Sequence, residues 1–236
     1  MKTKLLVALV VSTFAVGAQA ASCGSAWNWN TSCSDANKEK VRIAAEIAAS
    51  KPVGIVKGVM EIAGISRNTN NSNLVDPAFA KTSRPCPPFC IQPTHPFAPA
   101  AVETVSELDM IHAVRDLAEW GDASILVVDA RTPGWVKKGT IPHAVNVPFT
   151  KLNSKALAKD PMAVVDVLTA NFGVKDMDGV LNFDNAKTLY LFCNGSWCGQ
   201  SPAAIKALLT MGYPQSKIKY YRGGMNDWKL LGLTVK

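Results

Sequence analysis

Basic blocks, nucleotide-binding motifs and membrane-spanning apolar runs are all missing from this sequence, and each absence excludes a class of protein. The formal net charge is +7, but there is no Lys- or Arg-rich block and no nucleic-acid motif, so charge alone indicates no nucleic-acid partner. Neither a P-loop nor a dinucleotide fingerprint occurs, and we expect no organic cofactor. The longest apolar run, Leu5 to Val16, has about 12 residues, whereas a bilayer span needs about 20.

This apolar run has the features of a secretory signal peptide. Lys2 and Lys4 precede it, and Ala18-Gln19-Ala20 provides small residues at the two positions that a signal peptidase reads. We interpret 1–20 as a signal peptide whose removal leaves a mature chain without a membrane anchor, secreted into the periplasm. Lipid anchoring at the nearby Cys23 is an alternative, although no Leu opens a lipoprotein box there.

The cysteines must be read for an oxidising compartment, where thiols become disulfides unless chemistry keeps them reduced. The six cysteines fall into three pairs along the chain. Cys23 and Cys33 are candidates for a structural disulfide near the mature N-terminus. Cys86 and Cys90 flank Pro-Pro-Phe in a segment that the prolines stiffen, and they are disulfide candidates as well. Two alternatives stay open for this segment: a second exchange pair, and zinc binding with His95, which lacks an obvious fourth ligand.

Composition divides the mature chain into three parts. Residues 21–66 predict a small helical, disulfide-bearing extension, and 67–100 form a Pro- and Asn-rich arm whose X-Pro bonds exclude regular elements. From 101 to 236, short buried strands alternate with helices, which is typical of an α/β fold with a parallel sheet covered on both faces. The expected strands are 125–128, 189–192 and 218–221, and the expected helices are 106–120, 162–172, 201–211 and 224–231.

Two separated segments of this third part resemble the signatures of the rhodanese homology domain. Asp129-Ala130-Arg131 and the run from Gly139 to Pro148 are similar to the first signature. Arg222-Gly223-Gly224-Met225 with Trp228 is similar to the last. The resemblance implies a rhodanese-like sheet flanked by helices, and a sulfurtransferase whose cysteine takes a sulfane sulfur from a donor as a persulfide and passes it to a thiol acceptor. It also implies that Asp129 and Arg131 are structural.

Cys193 is the candidate catalytic nucleophile by its position as well as by resemblance. It follows a predicted buried strand and precedes a helix expected from Ser201, at the sheet edge where α/β proteins bind ligands. Gly195 and Gly199 allow a tight loop with inward N–H groups, and such groups beside a helix N-terminus lower the pKa of a cysteine. The residues expected to bind substrate are Asn194, Gly195, Ser196, Trp197, Gly199, Gln200, Ser201 and Arg222.

The loop departs from the family pattern in its charge. No Arg or Lys lies between Cys193 and Ser201, so a dianion such as thiosulfate lacks a charged hydrogen-bond partner there. Arg222, at the end of another predicted strand, is the residue that can supply this charge. Gly199 stands where the related phosphatases, with their Cys-x5-Arg motif, need Arg, which argues against phosphatase activity.

Cys198 adds a second thiol to the same loop. It can attack a persulfide or a sulfenic acid on Cys193, which forms a disulfide and releases the terminal sulfur or water. The sequence therefore favours a sulfurtransferase or thiol-redox protein, without a metal, that a periplasmic disulfide reductase regenerates. The alternatives are a structural disulfide in an inactive binding or scaffold domain, and a metal site at the two cysteines.

Overall fold

The computed structural model describes residues 61–81 and 91–236. The expected signal peptide and most of the expected helical extension lie outside the described residues. So do the disulfide candidates Cys23, Cys33, Cys86 and Cys90. What the sequence predicts for these parts of the chain stays a prediction.

Strands and helices alternate through most of the described chain. The strands are Glu103–Val105 (β1), Ile125–Asp129 (β2), Val145–Asn146 (β3), Lys175–Met177 (β4), Val180–Asn182 (β5), Thr188–Phe192 (β6) and Ile218–Tyr221 (β7). The helices are Glu107–Ala118 (α1), Pro133–Val136 (α2), Ser154–Lys159 (α3), Pro161–Asn171 (α4), Gln200–Thr210 (α5) and Gly224–Leu230 (α6). Short 3-10 turns cover Phe149–Lys151 and Gln215–Lys217.

The main sheet is parallel and places β6 at its centre. Its order is β1-β7-β6-β2-β3, and every neighbouring pair runs parallel. The register sets Phe192 beside both Tyr221 of β7 and Asp129 of β2. Strands β4 and β5 form a separate antiparallel hairpin. The predicted α/β fold with a parallel sheet flanked by helices is confirmed.

Local sequence explains where two of the flanking helices begin. The Asp109 carboxylate accepts a hydrogen bond from the backbone N–H of Ser106 at 2.8 Å, as in a capping box at the start of α1. Asp160 accepts from the N–H of Ala163 at 3.1 Å, and Pro161 occupies the first turn of α4, where its missing N–H costs nothing. Both helices then bury one face against the sheet.

The core lies on both faces of the sheet, and β6 contributes to each. Leu189 and Leu191 belong to the cluster that packs against α4 and α5, whereas Phe192 belongs to the cluster that packs against α1 and α6. Successive strand residues point to opposite faces. The residue after Phe192, which is Cys193, therefore returns to the face that α5 covers.

Part of the chain before the sheet also packs against the face of α1 and α6. Ile65 and Phe79 are buried in that cluster. The Ser66 N–H donates to Thr234 Oγ1 at 2.8 Å. In the described parts of the expected arm, 67–81 and 91–100, no helix or regular strand forms. Among the helices of the described residues, none is both long enough and apolar enough to cross a membrane.

Candidate active site

Cys193 lies at the carboxyl edge of the central strand. Strand β6 ends at Phe192 and α5 begins at Gln200, so residues 193–199, the cysteine loop, connect the two. Strand β2 ends at Asp129 at the same edge, and β7 ends there too, because parallel strands share their direction. Three strand ends therefore surround Cys193, at the edge where open α/β sheets bind ligands.

The cysteine loop is anchored to the start of α6. The carbonyl oxygens of Cys193 and Asn194 accept hydrogen bonds from the N–H groups of Met225 and Asn226, at 3.0 and 2.9 Å. Gly224 has a φ of +54°, and a Cβ at this position would lie 2.3 Å from the Cys193 carbonyl oxygen. Only glycine combines this backbone conformation with so close an approach.

Within the loop, a turn brings the two cysteines together. The Cys198 N–H donates to the carbonyl of Gly195 at 2.9 Å, with Ser196 and Trp197 at the tip of the turn. In its protonated form, the Cys193 thiol donates to the carbonyl oxygen of Cys198 at 3.6 Å. Both cysteines are free thiols, and they are only 2% and 4% exposed. A candidate nucleophile and a second thiol are thus held side by side out of solvent.

The surroundings of the pair favour a thiolate on Cys193. Burial by itself raises the pKa of Cys193. Hydrogen bonds from the Cys198 thiol, the Ser201 hydroxyl and the backbone N–H groups of Ser201 and Gly195 outweigh burial and lower the pKa to about 7. The pKa of Cys198 is raised, first by its hydrogen bond to Cys193, then by burial and by the charge of the Cys193 thiolate. Of the two thiols, Cys193 is therefore the one that ionises near neutral pH, whereas Cys198 keeps its proton.

This difference predicts a pH profile for the alkylation of Cys193. The rate constant with iodoacetamide should rise with pH through a midpoint of about 7 and level off above it, because the thiolate is the reactive form. Cys198→Ala removes a donor to the thiolate, so the midpoint should move upward. A wild-type midpoint at the ordinary thiol value of about 8.5, or one that stays the same in Cys198→Ala, would contradict the assigned hydrogen bonds.

Asp129 and Arg131 form a buried ion pair behind the loop. Arg131 Nη2 lies 2.6 Å from Asp129 Oδ2, and both side chains are 1% exposed. The Thr140 hydroxyl donates to the same carboxylate oxygen at 2.6 Å, and Arg131 also donates to the Gly139 carbonyl at 2.7 Å. Arg131 Nη1 reaches Asn194 Oδ1 at 3.4 Å, a long hydrogen bond to the cysteine loop. The pair thus supports the loop from the neighbouring strand.

A cavity of about 460 Å³ lies beside the cysteine loop. Trp197 and Gly199 line it, together with residues of α5 and with Gln92 and Phe97 from the chain before β1. Arg222 donates from Nη2 to the Gln92 carbonyl at 3.1 Å, which ties its guanidinium to this wall. The structure thus brings the expected loop residues, α5 and Arg222 to one edge of the sheet, and it adds a wall that the sequence did not predict.

Tyr220 was also not predicted to belong to this region. It lies in β7, fully buried, and its hydroxyl has no hydrogen-bond partner among the described residues. In the sequence, Ile218 to Tyr221 matches a buried strand. The strand pattern does not distinguish a tyrosine that only packs in the core from one that lies next to a reactive cysteine. The one available signal is its spacing of two residues from Arg222, because alternate strand residues share a face.

No group of three or more His, Cys, Asp or Glu side chains in residues 61–81 and 91–236 is arranged to hold a metal ion. What the site offers instead is a cysteine held as a thiolate between the central strand of a parallel sheet and the next helix. These features define a cysteine-bearing α/β domain. The Rhodanese-like domain family matches residues 111–231, and the chain belongs to this family.

Solved structures from several organisms match part of this chain. A Bacillus halodurans protein is 20% identical and covers 58% of this chain and 77% of its own, with a TM-score of 0.38. A rhodanese-related protein from Thermoplasma volcanium is 18% identical, covers 57% and 97%, and has a TM-score of 0.33. The Rhodanese-like domain of an Anabaena protein is 18% identical, covers 53% and 74%, and has a TM-score of 0.34. No curated protein matches the chain.

Proposed function

We propose that this protein is a sulfurtransferase in which Cys193 accepts a sulfane sulfur and Cys198 removes it. The observation that carries the proposal is the pair of free, buried thiols at the sheet edge, with the pKa of Cys193 lowered to about 7. A thiolate at neutral pH is the form that attacks a sulfane sulfur. Membership in the Rhodanese-like domain family supports this chemistry.

In the first step, the Cys193 thiolate attacks the outer sulfur of a donor such as a thiosulfonate, R–SO₂–S⁻. A sulfur–sulfur bond forms to Cys193, the bond between the two donor sulfurs breaks, and a sulfinate, R–SO₂⁻, leaves with the electron pair. The product is an anionic persulfide, Cys193–S–S⁻. The Ser201 hydroxyl and the N–H groups of Ser201 and Gly195 stabilise the attacking thiolate.

In the second step, the Cys198 thiol attacks the Cys193 sulfur of the persulfide. A Cys193–Cys198 disulfide forms, and HS⁻ leaves with the terminal sulfur and the Cys198 proton. Two causes of the raised pKa of Cys198 are its hydrogen bond to the Cys193 thiolate and the charge of that thiolate. Both weaken once the negative charge moves from Cys193 to the outer sulfur of the persulfide. Persulfide formation therefore makes Cys198 a better nucleophile. A thiol acceptor that attacks the terminal sulfur first receives it as a new persulfide.

The disulfide that this step leaves must be reduced before another turnover. A dithiol reductant returns Cys193 and Cys198 to thiols and becomes a disulfide itself. Because the N-terminus has the features of a signal peptide, we place the cycle in the periplasm. A periplasmic disulfide reductase then supplies the dithiol that reduces the disulfide.

Sulfide release in a single turnover tests the proposal. Reduced protein, freed of reductant, is mixed with benzenethiosulfonate, and HS⁻ is measured. The wild type should release about one HS⁻ per chain without added thiol, because Cys198 resolves the persulfide. Cys198→Ser should release HS⁻ only after an external thiol is added, and Cys193→Ser should release none under either condition.

Two results would contradict the proposal in different ways. Equal release from Cys198→Ser and wild type would show that Cys198 does not resolve the intermediate. Release that does not depend on Cys193, or no release from any variant with or without thiol, would leave the binding or scaffold domain as the better interpretation.

A further inference from the structure

Buried polar side-chain atoms without a hydrogen-bond partner concentrate around the cysteine loop. Within the described residues, and with Cys193 as a thiol, these atoms are Gln200 Oε1, Ser201 Oγ, Tyr220 Oη and Arg222 Nε. The Ser201 hydroxyl gains an acceptor when Cys193 ionises. Gln200 and Ser201 are the first two residues of α5, directly after the loop, whereas Tyr220 lies on β7 and Arg222 just beyond it. A buried polar group without a partner is costly, and native structures keep few of them. Their clustering at one place indicates a site that is filled during function.

The strand register places Tyr220 and Arg222 next to the cysteines. Leu191 pairs with Tyr220, and Phe192 pairs with Tyr221, so the next step along the two strands sets Cys193 beside Arg222. Adjacent strands lie about 4.8 Å apart. Tyr220 and Leu191 belong to the same core cluster, so they share a face of the sheet. By alternation, Cys193 and Arg222 continue on that face.

Electrostatic coupling is consistent with this placement. Burial raises the pKa of Tyr220, and the negative charges of Cys193 and Cys198 raise it further, while the positive charge of Arg222 lowers it. The phenol is thus close enough to feel all three groups. Its ring is held by an edge-on contact with Phe97, with centroids 5.3 Å apart.

Three of these four groups can donate a hydrogen bond. The Ser201 hydroxyl donates to the Cys193 thiolate, which leaves the Tyr220 hydroxyl and Nε–H of Arg222 as donors without an acceptor. Arg222 also brings a full positive charge. The guanidinium is fixed by its bond from Nη2 to the Gln92 carbonyl at 3.1 Å. Buried donors that lack acceptors, one of them charged, favour an anion beside them. The cysteine loop has no Arg or Lys of its own, so Arg222 supplies its charge from the neighbouring strand.

We propose that Tyr220 and Arg222 bind the terminal sulfur of the Cys193 persulfide. This inference rests on the proposed function. Formation of the persulfide moves the negative charge one sulfur–sulfur bond, about 2 Å, away from Cys193. At that distance the N–H groups of the loop no longer surround the charge, and the phenol and the guanidinium take over as donors. Tyr220 and Arg222 are therefore positioning residues for the intermediate, and they are idle in the thiol form.

The test uses the Cys198→Ser background, in which the persulfide is not resolved. The protein is loaded with benzenethiosulfonate, and the near-ultraviolet absorbance of the persulfide anion is titrated against pH. Tyr220→Phe and Arg222→Gln should each raise the pKa of the persulfide by about one unit, because each removes a donor to the anion. Tyr213→Phe is the matched control, since that buried hydroxyl donates to the Lys187 carbonyl at 2.6 Å, away from the loop.

Stability gives a second readout that a structural role would not match. The Tyr220 hydroxyl has no partner in the thiol form, so Tyr220→Phe should keep or raise the thermal midpoint of the unloaded protein, whereas Tyr213→Phe should lower it. Suppose that a persulfide forms in Cys198→Ser and keeps the same pKa when Tyr220→Phe or Arg222→Gln is added. That result would overturn this inference and leave the proposed function standing. Absence of any persulfide on Cys193 would overturn both.

Discussion

Arg131→Met is expected to lower the free energy of unfolding by about 3–5 kcal/mol, because it leaves the Asp129 carboxylate buried without its charged partner. Both side chains of this pair are 1% exposed, so water cannot replace the guanidinium. The same substitution removes the hydrogen bonds to the Gly139 carbonyl and to Asn194. Equilibrium unfolding in urea measures the change.

A second ion pair provides the matched control. Arg115 and Asp116 lie 2.8 Å apart, but their side chains are 26% and 27% exposed. Arg115→Met should cost no more than about 1 kcal/mol, since partly exposed pairs contribute little. In the double variant Asp129→Asn with Arg131→Met, the buried charge is gone, and part of the loss should be recovered. Equal losses for Arg131→Met and Arg115→Met would contradict the assigned role of the buried pair.

Gly224→Ala should damage both the stability of the protein and the reactivity of Cys193. A Cβ at this position would lie 2.3 Å from the Cys193 carbonyl oxygen and 2.8 Å from the Gly195 nitrogen, and both are backbone atoms of the cysteine loop. The loop must move, and the thiolate then loses donors. Alkylation of Cys193 at pH 7 should slow by about fivefold, because a pKa about one unit above its value of about 7 lowers the thiolate fraction by that factor.

Gly212→Ala separates this clash from simple backbone strain. Gly212 has a φ of +82°, but the atom closest to a Cβ added there is a side-chain carbon of Phe183, 4.0 Å away. Both variants pay the cost of alanine in a left-handed conformation, about 1 kcal/mol. Only Gly224→Ala should also change the alkylation rate. A normal rate in Gly224→Ala would mean that the cysteine loop does not depend on its contact with α6.

The parts of the fold that the sequence predicted are those with a local signal. Strands β2 and β6 each contain a continuous apolar run, and β7 is apolar and aromatic apart from Lys219. Helices α1, α4 and α5 begin close to a capping residue or a proline. Strands β1 and β3 have three and two residues, and they exist through pairing with distant strands. The β4–β5 hairpin was missed although Asp178-Gly179, both with positive φ, carries the usual signal of a tight turn.

The candidate site also has features that the sequence predicts and features that it does not. The sequence places Cys193 and Cys198 on one loop, and Asp129 two residues before Arg131 suggests their pairing. Hydrogen bonds that assign the negative charge to Cys193 depend on loop geometry, which spacing alone does not determine. The role of Tyr220 depends on an absent hydrogen bond, which no sequence pattern expresses.

The central claim is that Cys193 carries a sulfur atom that Cys198 removes, and intact-protein mass spectrometry tests it most directly. Reduced wild type, Cys193→Ser and Cys198→Ser are treated with benzenethiosulfonate, and their masses are followed over time. Cys198→Ser should gain one sulfur atom and keep it, wild type should pass through this mass to a disulfide, and Cys193→Ser should gain none. An unchanged mass in Cys198→Ser, or an added sulfur that does not depend on Cys193, would contradict the account.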